Sequence, residues 1–296
     1  MSRFSQALTR IALKPIEWIG RLPLRHAQHA TRWLAGPMRL LMRRRSMIMR
    51  RNLELCFPEL DDRGRARLAR GHFRNLAESI GEISYAWHHR DPLQGDAGDV
   101  VGLQHLERAR ADGRGVMLLT GHFTCLELAA RVSGEKIRGS GIYRPLKNSV
   151  LEALQTRGRA RYTERMIPRK NLRAMVRHLR NGGVLWYAPD QDLGPERSEF
   201  APFFGIPTAT AVGMLELARL GRAHVVPMMP RKDPATGRVS IILEPPLDPF
   251  PSGNPVEDLT RFNAVLERHV RAAPETYWWL HRRFKTRPED QPDPYL

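Results

Sequence analysis

The feature that most limits the fold of this chain is an alternation of short apolar runs with helix-period segments, which begins at residue 116. Val116–Leu119 reads as a buried strand, followed by a helix over 124–132. Ile142–Tyr143 reads as a strand, followed by a helix over 149–161. A helix over 170–180 carries Leu172, Met175, Val176 and Leu179 on one face and leads into a strand at Val184–Tyr187. Ala209–Leu220 (helix), His224–Val226 and Val239–Leu243 (strands) and 256–272 (helix) complete the series. Parallel strands need long crossovers, usually helices, so this order predicts an α/β fold: a mainly parallel sheet flanked by helices. Upstream, RNLELCFPEL at 51–60 ends a helix at Pro58. Residues 71–89 place Phe73, Leu76, Ile80, Ile83 and Trp87 on one helical stripe.

Sites in such folds form beyond the carboxyl ends of strands. The first residues past strand 116–119 are Thr120-Gly121-His122-Phe123-Thr124-Cys125-Leu126-Glu127. A carboxylate can fix the tautomer of an imidazole, which then removes a proton from a hydroxyl. Five residues on one ideal helix turn through roughly 500°, leaving His122 and Glu127 about 140° apart. The pair can therefore meet only if His122 precedes the helix, where the strand reading puts it. Cys125 is a possible thioester nucleophile, but a free cysteine at this position of a helix reads more readily as a small buried apolar group.

Charge narrows the partners. The 296 residues hold 48 Lys and Arg against 31 Asp and Glu, a net charge of +17. Residues 1–50 carry eleven of the basic residues and one acid, Glu17. Such an excess points to an anionic partner: nucleic acid, anionic lipid or an acidic protein. Leu8, Ile11, Ala12, Ile16 and Ile19 recur near helical spacing beside Trp18. Trp33, Leu34, Met38, Leu40 and Leu41 lie among Arg32, Arg39 and Arg43–Arg45. That mixture suits a helix lying on an anionic membrane, with Pro15 as a kink. No run reaches the ~18 apolar residues of a spanning helix, and no signal-peptide pattern is visible. Cys56 and Cys125 make no disulfide framework or metal motif, so the chain reads as intracellular.

HFTCLE at 122–127 resembles the His-x4-acid motif of the glycerolipid and lipid A acyltransferases. RNLELCFPEL (51–60), YRPLKN (143–148), WYAPDQDLGP (186–195), PFFGIPTATAVG (202–213), VPMMPRK (226–232) and WWLHRRFKTRPE (278–289) are similar, in order, to segments of the lipid A late acyltransferases. The resemblance implies a glycerolipid-acyltransferase-like fold in which a membrane-facing arm (1–50) precedes an acyltransferase domain (51–296). It implies direct transfer from acyl carrier protein to a hydroxyl of a lipid A precursor, with His122 as base oriented by Glu127. It also implies no metal or cofactor, and a place on the cytoplasmic face of the inner membrane; the lack of a spanning run in this sequence makes that place a peripheral one. The sequence departs from several family members, whose N-terminus carries an obvious spanning helix.

Cationic candidates for anionic substrate groups are Arg144 after a strand, Arg169 and Lys170 at a helix start, and Arg231 after VPMMP. Asp190 and Asp192 follow a strand. Without an evident third hard ligand they read as loop-shaping or substrate-orienting rather than metal-binding. His281 with Arg282 and Arg283 reads as structural or phosphate-binding, and Tyr277, Trp278 and Trp279 as core or interface. Two other readings remain open: an acyltransferase for another glycolipid or a glycerophosphate, and a non-catalytic basic protein binding membrane or nucleic acid. No zinc pattern, RNA-binding signature or basic zipper supports nucleic acid as a partner.

Overall fold

The computed structural model describes Thr9, residues 13–89, Leu93, residues 96–289 and residues 291–296. Leu8, Ile11 and Ala12, expected on the first amphipathic helix, lie outside the described residues. The strands are β1 (Val100–Val101), β2 (Val116–Leu119), β3 (Ser140–Tyr143), β4 (Met166–Pro168), β5 (Val184–Tyr187), β6 (Ser198–Phe203), β7 (Ile206–Ala211), β8 (His224–Lys232) and β9 (Val239–Leu243). Seven form one sheet in the order β1-β9-β8-β2-β5-β3-β4, parallel at every pair except β8–β9. β2 lies at its centre with no side chain exposed to water, as expected for a strand covered on both faces.

Residues 13–19 are helical, and the helices after them are α1 (Leu24–Arg32), α2 (Ala35–Leu41), α3 (Arg43–Cys56), α4 (Asp62–His88), α5 (Leu103–Arg110), α6 (Leu126–Gly134), α7 (Ser149–Arg159), α8 (Leu172–Arg180), α9 (Gly213–Gly221) and α10 (Pro255–Ala272). Their starts are written locally. The side chains of Asp61, Asn148, Asn171 and Asn254 each accept a hydrogen bond from a first-turn N–H of α4, α7, α8 and α10. Because Asn171 is the cap, α8 opens two residues later than the sequence suggested, and Arg169 and Lys170 stand in the turn before it.

One expectation fails in kind. Ala209–Ala211 is strand, and the helix expected over 209–220 begins only at Gly213. β6 and β7 form a hairpin turned by Phe204 (φ 53) and Gly205 (φ 71), both in the left-handed region that a two-residue turn requires. Phe204 is held there by its ring, which packs edge-on against Phe57 and lies under the Arg271 guanidinium at 4.3 Å.

The N-terminal helices lie against the body. Gly20 and Gly81 permit this: a Cβ on either would stand within about 2.3 Å of a carbonyl oxygen, of Ser84 and Ala27 respectively. Gln28 of α1 donates to Glu82 (3.0 Å) and to the Gly237 carbonyl (2.9 Å). Lys232, at the end of β8, is buried between Glu78 (2.7 Å) and Glu82 (2.6 Å). Leu24, Ala27, Met49 and Leu53 join the main core. The opposite side of the same helices leaves Trp33, Leu40, Leu41 and Met47 exposed. Among the described residues no helix is long and apolar enough to cross a membrane.

Candidate active site

Register brings His122 and Asp190 together. β2 and β5 are parallel neighbours with Leu119 beside Tyr187. His122 lies three residues beyond Leu119 and Asp190 three beyond Tyr187, so the two loops deliver them to one point. His122 Nδ1 is 2.5 Å from Asp190 Oδ1, and the His122 backbone N–H donates to Asp190 Oδ2 at 2.8 Å. His122 precedes α6, as expected, because that helix starts only at Leu126. The Asp190 side chain is buried and the His122 side chain is about one third exposed. Nε2 of His122 has no hydrogen-bond partner among the described residues and is not sealed from solvent.

The electrostatics follow from that geometry. Burial would raise the Asp190 carboxyl. The His122 charge and two hydrogen bonds outweigh it and hold the carboxyl at about 2. Burial would lower the His122 imidazole, but the charge and hydrogen bond of Asp190 bring it above its ordinary 6.5. The carboxylate fixes Nδ1–H and leaves Nε2 as the basic atom.

Glu127 does not orient His122, a correction to the sequence reading. Its carboxylate takes a bidentate pair of bonds from Arg159 (2.9 and 2.7 Å), one from Trp87 Nε1 (2.8 Å) and one from the Tyr162 hydroxyl (2.5 Å). Burial would raise its pKa, yet these bonds and the Arg159 charge lower it. The carboxylate is therefore ionised and tied to α4 and α7. No signal in the sequence linked Trp87, Arg159 and Tyr162 to the motif.

Beside the dyad runs a cleft with an internal volume of about 110 Å³. Leu126, Ile137, Ile142, Met166 and Trp186 line it together with Gly139 and Gly141, where a Cβ would press on Val184 and Met166 respectively. Thr120 and Ala188, each two residues from the dyad, stand in its wall, as does the Glu127–Arg159–Tyr162 cluster.

The remaining candidates divide by position. Arg144 and Arg169 each lie one residue past the paired β3 and β4 ends, Tyr143 and Pro168, at the same edge of the sheet as His122. Both are exposed, as is Lys170. Arg231 is exposed near the end of β8, four residues past Pro227, the partner of Leu119. Asp192 shapes its loop: it accepts from Gly194 N–H (2.9 Å), Thr286 N–H (2.7 Å) and the Thr286 hydroxyl (2.9 Å). Among the described residues no cluster of three metal-ligating side chains exists. Tyr277 and Trp279 are buried in the core, and a short antiparallel bridge joins Tyr277 to Phe123.

Cys125 has no exposed surface, and burial, foremost, pushes its thiol up to about 12. It is a core residue and a poor nucleophile. Cys125→Ser is expected to retain most of the activity, and intact-mass analysis during turnover should find no acyl group on the protein. An acylated Cys125 together with an inactive serine variant would contradict this.

An imidazole held by a buried carboxylate at the carboxyl edge of parallel strands, beside an apolar cleft, has the geometry to act as a general base, which leaves a broad class of enzymes open. The comparisons with known proteins narrow that class. Residues 5–286 match the family model for bacterial lipid A biosynthesis acyltransferases. The chain is 40% identical over 255 residues to the lipid A biosynthesis lauroyltransferase of Escherichia coli (strain K12), covering 86% of this chain and 83% of the relative. The palmitoleoyltransferase of the same organism is 39% identical over 260 residues (87% and 84%), and the myristoyltransferase 29% over 266 residues (88% and 80%). The chain belongs to the bacterial lipid A biosynthesis acyltransferase family and is an acyl-transferring enzyme.

Proposed function

We propose that this enzyme moves a fatty acyl group from acyl carrier protein directly onto a hydroxyl of an anionic lipid A precursor. The observation that carries the mechanism is the His122–Asp190 pair with Nε2 of His122 left free. Nε2 takes the hydroxyl proton as the oxygen attacks the thioester carbonyl carbon. The carrier's thiolate leaves and recovers the proton from His122. Asp190 remains ionised throughout and holds the ring.

The apolar cleft supports the acyl chain as ligand. Each methylene it buries contributes roughly 0.8 kcal/mol, about a four-fold preference per carbon until the cleft is full. Arg144, Arg169, Lys170 and Arg231 lie on the dyad's side of the sheet and give anionic groups of carrier or acceptor a place to bind. The parallel sheet with a motif histidine past a central strand supports a glycerolipid-acyltransferase-like fold.

The test is donor kinetics. With an acidic carrier, the apparent second-order rate should fall steeply as salt rises, because steering between charged surfaces is screened beyond ~8–10 Å. With a neutral short thioester it should fall much less. Charge reversal at Arg169 and Lys170 should raise the Michaelis constant for whichever partner they contact. Equal salt response for both donors, with neither constant changed in the variant, would remove the carrier and these residues from the site.

The exposed side of residues 13–56 supports a peripheral seat on the cytoplasmic face of the inner membrane. Trp18, Trp33, Leu40, Leu41 and Met47 are each more than 60% exposed. Arg39, Arg43 and Arg44 lie exposed beside them. Anionic vesicles should recruit the protein, each basic residue near the surface adding about 1 kcal/mol at low salt. Trp33→Ser with Leu41→Ser should weaken recruitment without unfolding the protein. Truncation of the whole arm is the wrong experiment, since Leu24, Ala27 and Met49 belong to the core. Equal recruitment of the double variant would place the membrane face elsewhere.

A further inference from the structure

A second imidazole stands beside the dyad and takes no part in the base step. His281 lies on the segment after α10 that closes over the site. Within it, Trp278 N–H donates to the His122 carbonyl (2.9 Å), and Asn52 Nδ2 donates to the carbonyls of Trp279 (2.7 Å) and His281 (2.8 Å). Nε2 of His281 accepts the backbone N–H of Asp192 at 3.1 Å, two residues from Asp190. An accepting Nε2 puts the hydrogen of the neutral ring on Nδ1.

The ring stays neutral. Burial, foremost, holds its pKa at about 4 although Asp190 and Asp192 pull the other way, and the charges of Arg283 and His122 add to the lowering. Nδ1 has no hydrogen-bond partner among the described residues and is not sealed from solvent. A donor with a locked tautomer, placed beside a base and unable to serve as a cationic acid at neutral pH, suits an oxygen that gains negative charge during reaction.

We propose that His281 donates a hydrogen bond from Nδ1 to the thioester carbonyl oxygen as the acceptor hydroxyl attacks. This rests on the acyl-transfer reading above. As the new C–O bond forms, the carbonyl π pair moves onto that oxygen and the hydroxyl proton goes to His122 Nε2. The pair returns as the C–S bond breaks, and the departing thiolate takes the proton from His122. His281 keeps its own proton at every stage.

His281→Gln separates this role from a structural one. Its carboxamide oxygen can still accept from Asp192 N–H, while nothing replaces the Nδ1 donor. Turnover is expected to fall roughly 10²–10³-fold, the range for loss of one oxyanion donor. The Michaelis constant for the acyl carrier, the acid limb of the pH profile and the melting temperature should change little. Turnover within a few-fold of wild type would make His281 a loop anchor only. A shifted acid limb accompanying the loss would mean that it acts through Asp190. Wild-type protein needs no variant: nitrogen-15 histidine NMR should show the Nδ1–H neutral form of His281 at pH 6.5, and an Nε2–H form or a cation there would overturn the proposal. A wild type that transfers no acyl group would overturn the acyl-transfer reading itself. An active wild type with an active glutamine variant would remove the donor alone.

Discussion

Asp190→Asn is expected to lower turnover by roughly 10²–10⁴-fold, as much as His122→Ala, although Asp190 need not touch either substrate. The amide can present its NH₂ to Nδ1 and so favour the tautomer with its proton on Nε2, where the base must be free. The pH profile distinguishes this from a general loss of structure. The base must be neutral, so wild-type kcat/KM should rise with pH through a midpoint above 6.5, the direction in which Asp190 moves His122. Removing the carboxylate removes that stabilisation of the imidazolium, and the residual activity of Asp190→Asn should have its acid limb at lower pH. The double variant His122→Ala with Asp190→Asn should be little worse than either single one, since the two groups act as a unit. Additive losses, or an unmoved acid limb, would separate Asp190 from the base.

Glu127→Ala should instead lose stability first, by about 3–5 kcal/mol, because it leaves the largely buried Arg159 guanidinium without its carboxylate. Only 20% of the Arg159 side chain and 12% of that of Glu127 are exposed, so solvent does little to repair the break. Urea unfolding measures the loss. Replacing both partners, as Glu127→Gln with Arg159→Met, should recover a large part of it, since no lone charge remains buried. Activity will suffer too, because this cluster forms a wall of the apolar cleft, but the acid limb should stay with His122. A Glu127→Ala protein as stable as wild type, with the acid limb displaced, would return Glu127 to the position of orienting carboxylate.

The contrast between these two acids shows where the sequence was legible and where it stopped. Strands β2 and β5 are short apolar runs ended by polar loops, so both were visible, and the loop residues His122 and Asp190 were singled out with them. That the two loops meet depends on β5 lying beside β2 while β3 and β4, earlier in the chain, lie farther out. Strand order is a property of the packed sheet, and periodicity carries no trace of it. Glu127 was chosen as partner for its proximity in the chain, yet its bonds go to Trp87, Arg159 and Tyr162 on segments 32–40 residues away. The hairpin of β6 and β7 was missed for a local reason. Ala209, Ala211 and the apolar residues after them fit a helical stripe, and the turn rests on a left-handed Phe204 that its packing holds in place. Arg144 and Arg169 were legible one residue at a time, and that they stand side by side came only from the β3–β4 register.

The most direct test is the mass of the acceptor. Purified protein incubated with acyl carrier thioester and a lipid A precursor should yield precursor heavier by one acyl group, and equimolar free carrier thiol. Folded His122→Ala, run beside it, should yield almost none. An acceptor of unchanged mass with the wild-type protein, or full acylation by folded His122→Ala, would contradict His122-based acyl transfer at this site.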